Sequence, residues 1–343
     1  MRAGLKVNAV TAKVDSPSGW YRIGVLKELF LDKGIFIDEI VPTISSYPPA
    51  ETHKRPAWLL AALVERITYI SRLRGADATI LQRELISTLP SVERLLPGKK
   101  ILDVDDAIFL KKRGLAARNA ANACVGVVCG NQYLADYFSI YNKNIRIIPT
   151  GVNVSEMKVD PERLTSGRKK IIGWIGTPGN LTFFEPIVSD LKAFFKKYCS
   201  QAELRIVTSH AKAIPSELRE ICTFVKWYPG IEFDELPKWT AGLMPLANNE
   251  WVKGKCSFKM LQYMSAGVPV VVSPYGMNSE ILAKGEVGFG VNSGSEWYAA
   301  LNTLVSDSHI NEAMGKSARS LAERDFSLET VVDKWLEVFE SWV

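Results

Sequence analysis

Short apolar runs rich in Val and Ile alternate along the chain with longer stretches whose apolar residues recur at helical spacing. In the first half the strand-like runs are LKVNAV (5–10), FIDEIV (36–41), ATILQ (78–82), KILDV (100–104), GVVCG (126–130) and IRIIPT (145–150). Helical patterns such as YRIGVLKELFLDKG and NQYLADYFSIY lie between them. Strands that alternate with helices predict a parallel sheet covered by helices on both faces.

The same alternation begins again after a polar and basic segment, SEMKVDPERLTSGRKK (155–170), which we interpret as a connector between domains. The strand-like runs of the second half are IIGWIG (171–176), ELRIVT (203–208), FVKWY (224–228), AGLMPL (241–246) and VPVVVS (268–273). The predicted fold is therefore α/β, with two Rossmann-like, doubly wound domains, 1–160 and 161–326, that face a central cleft. In such sheets ligands bind at the carboxyl ends of the strands.

The last stretch, 327–343, has apolar residues at helical spacing, at Val331, Trp335, Val338 and Trp342. It predicts a C-terminal helix with Ser327 as its N-cap. We expect this helix to pack back towards the N-terminal domain.

Composition narrows the range of functions. The 343 residues suffice for two separate cores. A net charge of +5 suits an anionic small molecule or membrane surface and is too weak to indicate a nucleic-acid partner. The five cysteines are odd in number and form no CxxC, which favours reduced thiols in the cytosol. Without a signal-peptide pattern or an apolar run of about 20 residues, we expect a cytoplasmic protein.

The stretch GKCSFKMLQYMSAGVPVVVSPYGMN (254–278) carries the candidate chemistry. Ser257 can cap the helix FKMLQYMSA, and Gly267 can end it. Lys255 and Lys259 stand at the N-terminus of that helix, where the macrodipole is already positive. Two cations and a positive dipole repel one another unless an anion joins them, and a diphosphate is the natural anion. The alternative is that both lysines extend into solvent.

The run KCSFKMLQYMSAGVPVVVSPYGMNSEI resembles the C-terminal signature of GT-B glycosyltransferases of family 4, and its KC and LQYM variant resembles a bacterial surface-polysaccharide subgroup. LDVDDAIF, CGNQYLADYF, IIPTGVN and IGWIGTPGN are similar to further family landmarks, in family order. The resemblance implies a retaining hexosyltransferase with a nucleotide-sugar donor. It implies a glycan or polyprenyl-diphosphate-linked acceptor in the synthesis of O-antigen, capsule or exopolysaccharide. No cofactor or metal is expected.

The resemblance assigns donor binding to Gly176, Thr177, Lys255, Lys259, Gln262, Gly276, Met277 and Asn278. Two family glutamates are replaced, the first by Gly254 and the second, which holds the ribose hydroxyls, by Gln262. Thr177 and Thr182 stand where many members have an arginine and a lysine for the diphosphate. Charge neutralisation would therefore rest on Lys259, helped by Lys255 and by the backbone amides of Gly176 and Thr177. The alternatives are that Gln262 caps nearby backbone and that residues 176–179 form an ordinary strand-to-helix turn.

The N-terminal domain is expected to bind the acceptor through Gly19, Arg22 and Asp106. Asp105 stands where the family often has a histidine near the reacting sugar, and with Lys259 it is our predicted catalytic residue. Arg22 could equally be a surface helix residue, and Asp105 or Asp106 could cap the next helix. Asp103-Val-Asp105 matches the metal motif of GT-A enzymes, which we discount because those enzymes have one nucleotide-binding sheet.

Two further segments leave alternatives open. KRPAWLLAALVERITYISRLRG (54–75) predicts a helix with apolar Leu59, Leu63, Ile67 and Ile70 on one face and Trp58 near its start. Its basic rim is formed by Lys54, Arg55, Arg66, Arg72 and Arg74. It either contacts the inner face of the membrane or packs on the first sheet. Trp227 either stacks on the base of the donor or belongs to the core.

Two other functions remain open. A sugar-nucleotide epimerase of the same plan would need paired carboxylates and a histidine, and no convincing set is present. A non-catalytic GT-B subunit is suggested by Gly254 and Gln262.

Overall fold

The computed structural model describes residues 4–11, 17–165 and 167–343. The chain divides into two compact units. The first unit comprises Met1–Gly151, Lys253–Cys256 and Leu328–Val343, and the second comprises Val152–Val252 and Ser257–Ser327. The division thus lies at residues 151/152, earlier than residue 160 as placed from the sequence.

The first unit contains a six-stranded parallel sheet in the order β2-β1-β3-β4-β5-β6. Its strands are β1 (Leu5–Val10), β2 (Ile35–Ile40), β3 (Ala78–Gln82), β4 (Lys99–Val104), β5 (Gly126–Cys129) and β6 (Ile145–Ile147). Its helices before residue 151 are α1 (Pro17–Arg22), α2 (Lys27–Asp32), α3 (Arg55–Arg72), α4 (Leu115–Ala123) and α5 (Gln132–Ser139). β1 and β3 have the predicted bounds, and the other four strands begin or end within a few residues of them.

The second unit contains a six-stranded parallel sheet in the order β12-β11-β10-β7-β8-β9. Its strands are β7 (Lys170–Ile175), β8 (Ala202–Thr208), β9 (Cys222–Lys226), β10 (Trp239–Met244), β11 (Val270–Val272) and β12 (Gly288–Gly290). Its helices are α6 (Val188–Lys197), α7 (Ser216–Arg219), α8 (Ile231–Glu235), α9 (Glu250–Lys253), which runs into the segment Lys253–Cys256, α10 (Phe258–Ser265), α11 (Met277–Leu282), α12 (Gly294–Ser306) and α13 (Ser308–Phe326). The predicted α/β fold with two parallel sheets is confirmed.

Helix α14 (Leu328–Trp342) belongs to the first unit. Its apolar face joins the core formed by β1, α2 and β4. Phe339 meets Phe30 of α2 edge to face, with ring centroids 6.0 Å apart, and Trp335 is buried beside it. Burying aromatic rings of this size contributes strongly to a core, because each removes a large apolar area from water.

The segment 155–170 is held to the second unit. The Arg319 guanidinium donates to the carbonyl oxygens of Met157 and Val154, both at 2.8 Å. Arg163 Nη2 donates to the carbonyl oxygen of Gly267 at 2.6 Å. The segment that was predicted to be a connector is therefore hydrogen-bonded to residues of the second unit.

Candidate functional site

Tyr263 holds α10 against the second sheet. Its hydroxyl accepts a hydrogen bond from the backbone N–H of Ile175 at 3.3 Å and donates one to the carbonyl oxygen of Leu243 at 3.1 Å. Gly242 makes room for the ring, because a Cβ there would overlap the ring carbons of Tyr263. The beginning of α10 is thereby placed beside the carboxyl end of β7.

The predictions for the two ends of α10 have different outcomes. Gly267 ends the helix as predicted, with φ +66° and its N–H bonded to the carbonyl oxygen of Met264 at 2.9 Å. Ser257 stands at the N-cap position, but its side chain makes no capping hydrogen bond, so the predicted cap is wrong. Its backbone lies in the left-handed region, with φ +49°, whereas a capping residue typically has an extended backbone.

Lys259 lies in the first turn of α10, at the end where the helix dipole is positive. Its methylene chain passes directly over Gly176, where a Cβ would overlap Cε of the lysine. The ammonium lies 5.7 Å from the centroid of the Trp174 ring, within range of a cation–π interaction. The lysine is half-buried, and its charge is therefore held at the carboxyl end of β7 instead of extending into bulk solvent.

The other residues predicted to bind the sugar donor differ in how accessible they are to a ligand. The N–H of Gly176 donates to the carbonyl oxygen of Val207 at 3.0 Å, so it is not available to a diphosphate. Thr177 is exposed, and its hydroxyl accepts from Asn180 at 3.0 Å. Gln262 lies three residues after Lys259, on the same face of α10. Its amide bonds to no other described residue, which disfavours the interpretation that it caps nearby backbone.

The loop after β11 is shaped by Gly276, Met277 and Asn278. Gly276 has φ +56° and ψ −135°, a combination that favours glycine. Met277 and Asn278 are buried, and the Asn278 amide donates to the carbonyl oxygen of Ser273 at 2.9 Å. Because these two side chains are buried, a ligand can reach this loop only at its half-exposed residues, which include Gly276.

In the first unit, Arg83 gathers polar groups from several loops. It follows β3 directly, and its Nε donates to Asp105 Oδ1 at 2.8 Å. Nη2 donates to Asp106 Oδ2 at 2.6 Å and to the Ser18 hydroxyl at 2.9 Å, and Nη1 donates to the Tyr47 hydroxyl at 3.1 Å. No side-chain cap is made on the turn after Asp106, so the capping alternative for the two aspartates is not supported.

Arg22 is placed differently from its predicted role at the acceptor. The side chain is buried and forms a bidentate ion pair with Asp103, with Nε at 2.7 Å from Oδ2. It also donates to the carbonyl oxygen of Ile148 at 3.1 Å. Arg22 therefore ties α1 to β4 and to the segment after β6, and we leave it out of the acceptor site. Gly19 is also buried, and its carbonyl oxygen accepts a hydrogen bond from the N–H of Ile23, at the C-terminal end of α1.

The segment Lys253–Cys256 is bound to the first unit by hydrogen bonds. Asn131, which caps α5, donates to the carbonyl oxygens of Lys253 at 3.2 Å and Lys255 at 3.0 Å. A Cβ at Gly254 would lie 2.7 Å from the backbone nitrogen of Ala107. In this conformation no glutamate can stand at residue 254. Lys255 and Lys259 thus belong to different units, whereas the sequence had grouped them in one ammonium pair.

Asp105 and Asp106 differ in their electrostatics. Burial alone would raise the pKa of Asp105, but the charges of Arg83 and then Arg22 outweigh it, and the pKa lies below its ordinary value. Burial and then the charge of Asp105 raise the pKa of Asp106, although Arg83 and Lys255 oppose the shift. Within the described ranges, no group of three or more His, Cys, Asp or Glu side chains could hold a metal ion.

The surface of α3 is apolar on the side that faces away from the protein. Leu60, Val64 and Ile67 are 66%, 56% and 52% exposed, respectively. Arg66, predicted as part of the basic rim, is buried and donates to the carbonyl oxygen of Ile44 at 2.7 Å. The Trp58 indole donates to the carbonyl oxygen of Ser45 at 2.9 Å.

Exposed cations flank this surface of α3, with Lys54 and Arg55 at one end and Arg72 and Arg74 at the other. Arg72 and Arg74 also line a cavity of about 620 Å³ together with Lys6 of β1. Among the helices of the described residues, none combines the length and the apolar character needed to cross a bilayer.

Arg83 and Tyr47 are the site residues that the sequence analysis missed. The available signal for Arg83 was weak: a charged residue directly after the fully buried strand ATILQ. Trp227 was left open between core and ligand contact. It follows β9 and is 41% exposed, which favours contact with a ligand at that end of the strand.

One comparison with protein families concerns the second unit. Residues 170–307, from β7 to α12, match the family model of glycosyl transferases group 1. This part of the chain is therefore similar to group 1 glycosyltransferases. The matched residues include Gly176, Lys259 and Gln262.

One curated relative is spore coat protein SA of Bacillus subtilis (strain 168). It is 23% identical over 148 residues, which are 42% of this chain and 38% of that protein. The chain therefore matches less than two thirds of the length of this relative.

Solved structures extend the likeness over the whole chain. Sucrose-phosphate synthase from Thermosynechococcus elongatus is 12% identical, with 98% of both chains covered and a TM-score of 0.72. Anabaena HepE, solved in complex with UDP and glucose, is 14% identical, with 98% of this chain and 100% of that chain covered and a TM-score of 0.70. At these identities the likeness shows the fold, which is the predicted GT-B fold.

Proposed function

We propose that the chain is a retaining glycosyltransferase that moves a sugar from a nucleotide-sugar donor to a glycan or lipid-linked acceptor in surface-polysaccharide synthesis. The observation that carries the proposal is the placement of Lys259, which lies within the residues that match the glycosyltransferase model. Its ammonium is held at the carboxyl end of β7, over Trp174, at the positive end of α10. Carboxyl ends of parallel strands are where doubly wound sheets bind ligands.

Lys259 supplies the stabilisation that the leaving group needs. When the bond between the anomeric carbon and the diphosphate breaks, negative charge develops on the departing oxygen. A cation and a helix dipole fixed at that position stabilise this charge without reorganising. Because the neutralising groups belong to the protein, the mechanism requires no metal ion.

Asp105 acts on the acceptor. Held ionised beside Arg83, its carboxylate accepts a hydrogen bond from the acceptor hydroxyl and orients it towards the anomeric carbon. The new glycosidic bond forms on the face from which the diphosphate departs, and the hydroxyl proton passes to the departing diphosphate oxygen. The anomeric configuration is thereby retained.

The donor is recognised at three further positions. Gln262 provides neutral hydrogen-bonding groups for the ribose on the same face of α10 as Lys259. Backbone at Gly276 contacts the phosphates or the sugar, and Trp227 stacks on the base. HepE was solved with UDP, which makes UDP-sugars the first donors to examine.

A lipid-linked acceptor explains the surface of α3. Exposed Leu60, Val64 and Ile67 between clusters of lysine and arginine form the pattern of a helix that lies in a membrane interface. We commit to an anionic membrane as the partner, because the flanking charges on α3 are positive. The protein would then be peripheral at the inner face of the cytoplasmic membrane, where a polyprenyl-diphosphate-linked glycan is accessible.

The test is a thermal-shift screen with UDP-, GDP- and dTDP-sugars, followed by turnover with an extracted pool of lipid-linked glycans. A donor that binds the native state raises the melting temperature. Transfer of its sugar to the lipid fraction, with retained configuration, is the expected result. Binding without turnover on any acceptor pool would establish the non-catalytic subunit instead, and conversion of the sugar nucleotide without acceptor would establish the epimerase.

A further inference from the structure

We propose that Arg83 is the positioning residue of the acceptor site and holds both Asp105 and Asp106. In this arrangement Asp105 meets the acceptor hydroxyl as an ionised carboxylate. Asp106 is the member of the pair that takes up a proton first. This inference rests on the proposed function, since Asp105 is the residue that we place at the acceptor. Arg83 acts through the carboxylates and is not itself placed on the substrate.

One guanidinium serves both carboxylates. Arg83 Nε and Nη2 contact Asp105 Oδ1 at 2.8 Å and 2.7 Å, and Nη2 also contacts Asp106 Oδ2 at 2.6 Å. The side chains of Arg83, Asp105 and Asp106 are only 14%, 11% and 22% exposed. Asp105 accepts a hydrogen bond from Nε, and Asp106 accepts one from Nη2. Asp105 also hydrogen-bonds the Ser18 side chain and has Nη2 within ion-pair distance, so its charge is the better compensated of the two.

The backbone of Arg83 carries strain that this arrangement requires. Its φ is +65°, in the left-handed region, which residues other than glycine rarely adopt. Its N–H is bonded to the carbonyl oxygen of Asp103 at 2.9 Å, which holds this conformation. Strain of this kind persists where the surroundings determine it and is concentrated at functional sites. Here it turns the guanidinium from the end of β3 towards the end of β4.

The charges around the pair explain why Arg83 decides its protonation. The charged and titratable groups that face it, besides Arg83, are Arg22, Asp103, Tyr47, Lys255 and Cys256. Arg22 is already bonded to Asp103, and Lys255 acts on Asp106 through space. Without Arg83, two adjacent half-buried carboxylates would repel each other, and one of them would take up a proton.

The test is a pH titration of the full chain labelled with [13Cγ]aspartate, followed by NMR, with Asp105 and Asp106 assigned through Asp105→Asn and Asp106→Asn. In the wild type, Asp105 is expected to titrate at lower pH than Asp106. Arg83→Gln should move the Asp105 midpoint upwards by one pH unit or more, and Arg83→Lys should move it less. Arg113→Gln is the matched control. Arg113 is an exposed arginine of the same unit and also has a positive φ, +54°. None of the hydrogen bonds and ion pairs of the described residues joins Arg113 to these aspartates.

An Asp105 midpoint that is unchanged in Arg83→Gln overturns the inference. If that variant does not fold, a wild-type titration in which Asp105 takes up its proton before Asp106 overturns it equally. Because the titration uses no sugar, it is separate from the proposed function. If the titration midpoints of Asp105 and Asp106 are as expected but the chain transfers no sugar, the role of Arg83 is supported and the proposed glycosyltransferase function is contradicted. In an active chain, Arg83→Gln should also move the acid limb of the kcat profile to higher pH.

Discussion

The side chain of Lys259 fills the space that a side chain at residue 176 would need. A Cβ at Gly176 would overlap Cε of this lysine, and the ammonium beyond it lies over the Trp174 ring. Glycine at the carboxyl end of β7 is therefore a condition for the position of the cation. It connects the IGWIGTPGN stretch with the helix α10, although Lys259 comes more than eighty residues after Gly176 in the sequence.

Gly176→Ala is expected to displace the Lys259 ammonium and to lower kcat/KM for sugar transfer by about tenfold to a hundredfold, since small misplacements of a catalytic group cost this much. The measurement is steady-state kinetics with the donor found in the thermal-shift screen. Gly179→Ala is the control, because nothing lies within 4 Å of a Cβ at that glycine. Equal activity in the two variants would show that the lysine has no role that depends on its position.

Lys259→Ala should lower kcat/KM by about a hundredfold, as the loss of one stabilising contact to a developing charge does. Stability should change little, because the lysine is half-buried and contributes mainly its methylene packing. Lys316→Ala removes an exposed lysine of the same unit that pairs with Glu312 at 2.8 Å and should leave kcat/KM unchanged. Unaltered kinetics in the Lys259 variant would refute its assigned role.

Much of the fold was predictable because the strands are local signals. β1 and β3 have the predicted bounds since each is a short apolar run between polar segments, while β12, Gly288–Gly290, was missed because GFG is too short and too rich in glycine to show a pattern. The Arg83 cluster was not predictable, because its partners come from distant segments of the chain. The ion pair of Arg22 was not predictable for the same reason: only the fold shows that Asp103 lies beside it.

Gly254→Ala is expected to destabilise the protein by about 1–3 kcal/mol, because its Cβ would be forced against Ala107 in a close-packed region. A lowered melting temperature in thermal unfolding is the readout. Gly285→Ala is the control, since the nearest atom to a Cβ there is 3.5 Å away. If Gly254→Ala has the same melting temperature as the wild type, the segment 253–256 is not held against the first unit as described.

Glu84 should make the stability of the protein depend on pH. Burial raises the pKa of Glu84, although the Thr88 N–H donates to its carboxylate at 3.1 Å. The folded state therefore binds this proton more tightly than the unfolded state does. The cost of ionising Glu84 is complete above the folded pKa and disappears as the pH falls below the unfolded pKa.

At neutral pH, Glu84→Gln should accordingly gain stability relative to the wild type, because it does not have to bury a charge. This gain in the free energy of unfolding should become smaller as the pH is lowered. Urea unfolding at a series of pH values measures this difference. Glu162→Gln, a change at an exposed glutamate, serves as the comparison. A difference that is constant with pH would show that Glu84 is not buried as a carboxylate.

Replacing the apolar surface of α3 should abolish membrane binding without affecting the fold. The triple variant Leu60→Gln, Val64→Gln and Ile67→Gln should no longer co-sediment with phosphatidylglycerol vesicles, because it removes the apolar area that enters the interface. Leu95→Gln, at an exposed leucine of the same unit outside α3, should bind like the wild type.

The basic residues at the end of α3 should contribute separately. Arg72→Gln and Arg74→Gln should each weaken vesicle binding about fivefold, because each basic residue near anionic lipid contributes about 1 kcal/mol. Wild-type binding to phosphatidylcholine vesicles as strong as to phosphatidylglycerol vesicles would contradict the choice of an anionic membrane as the partner.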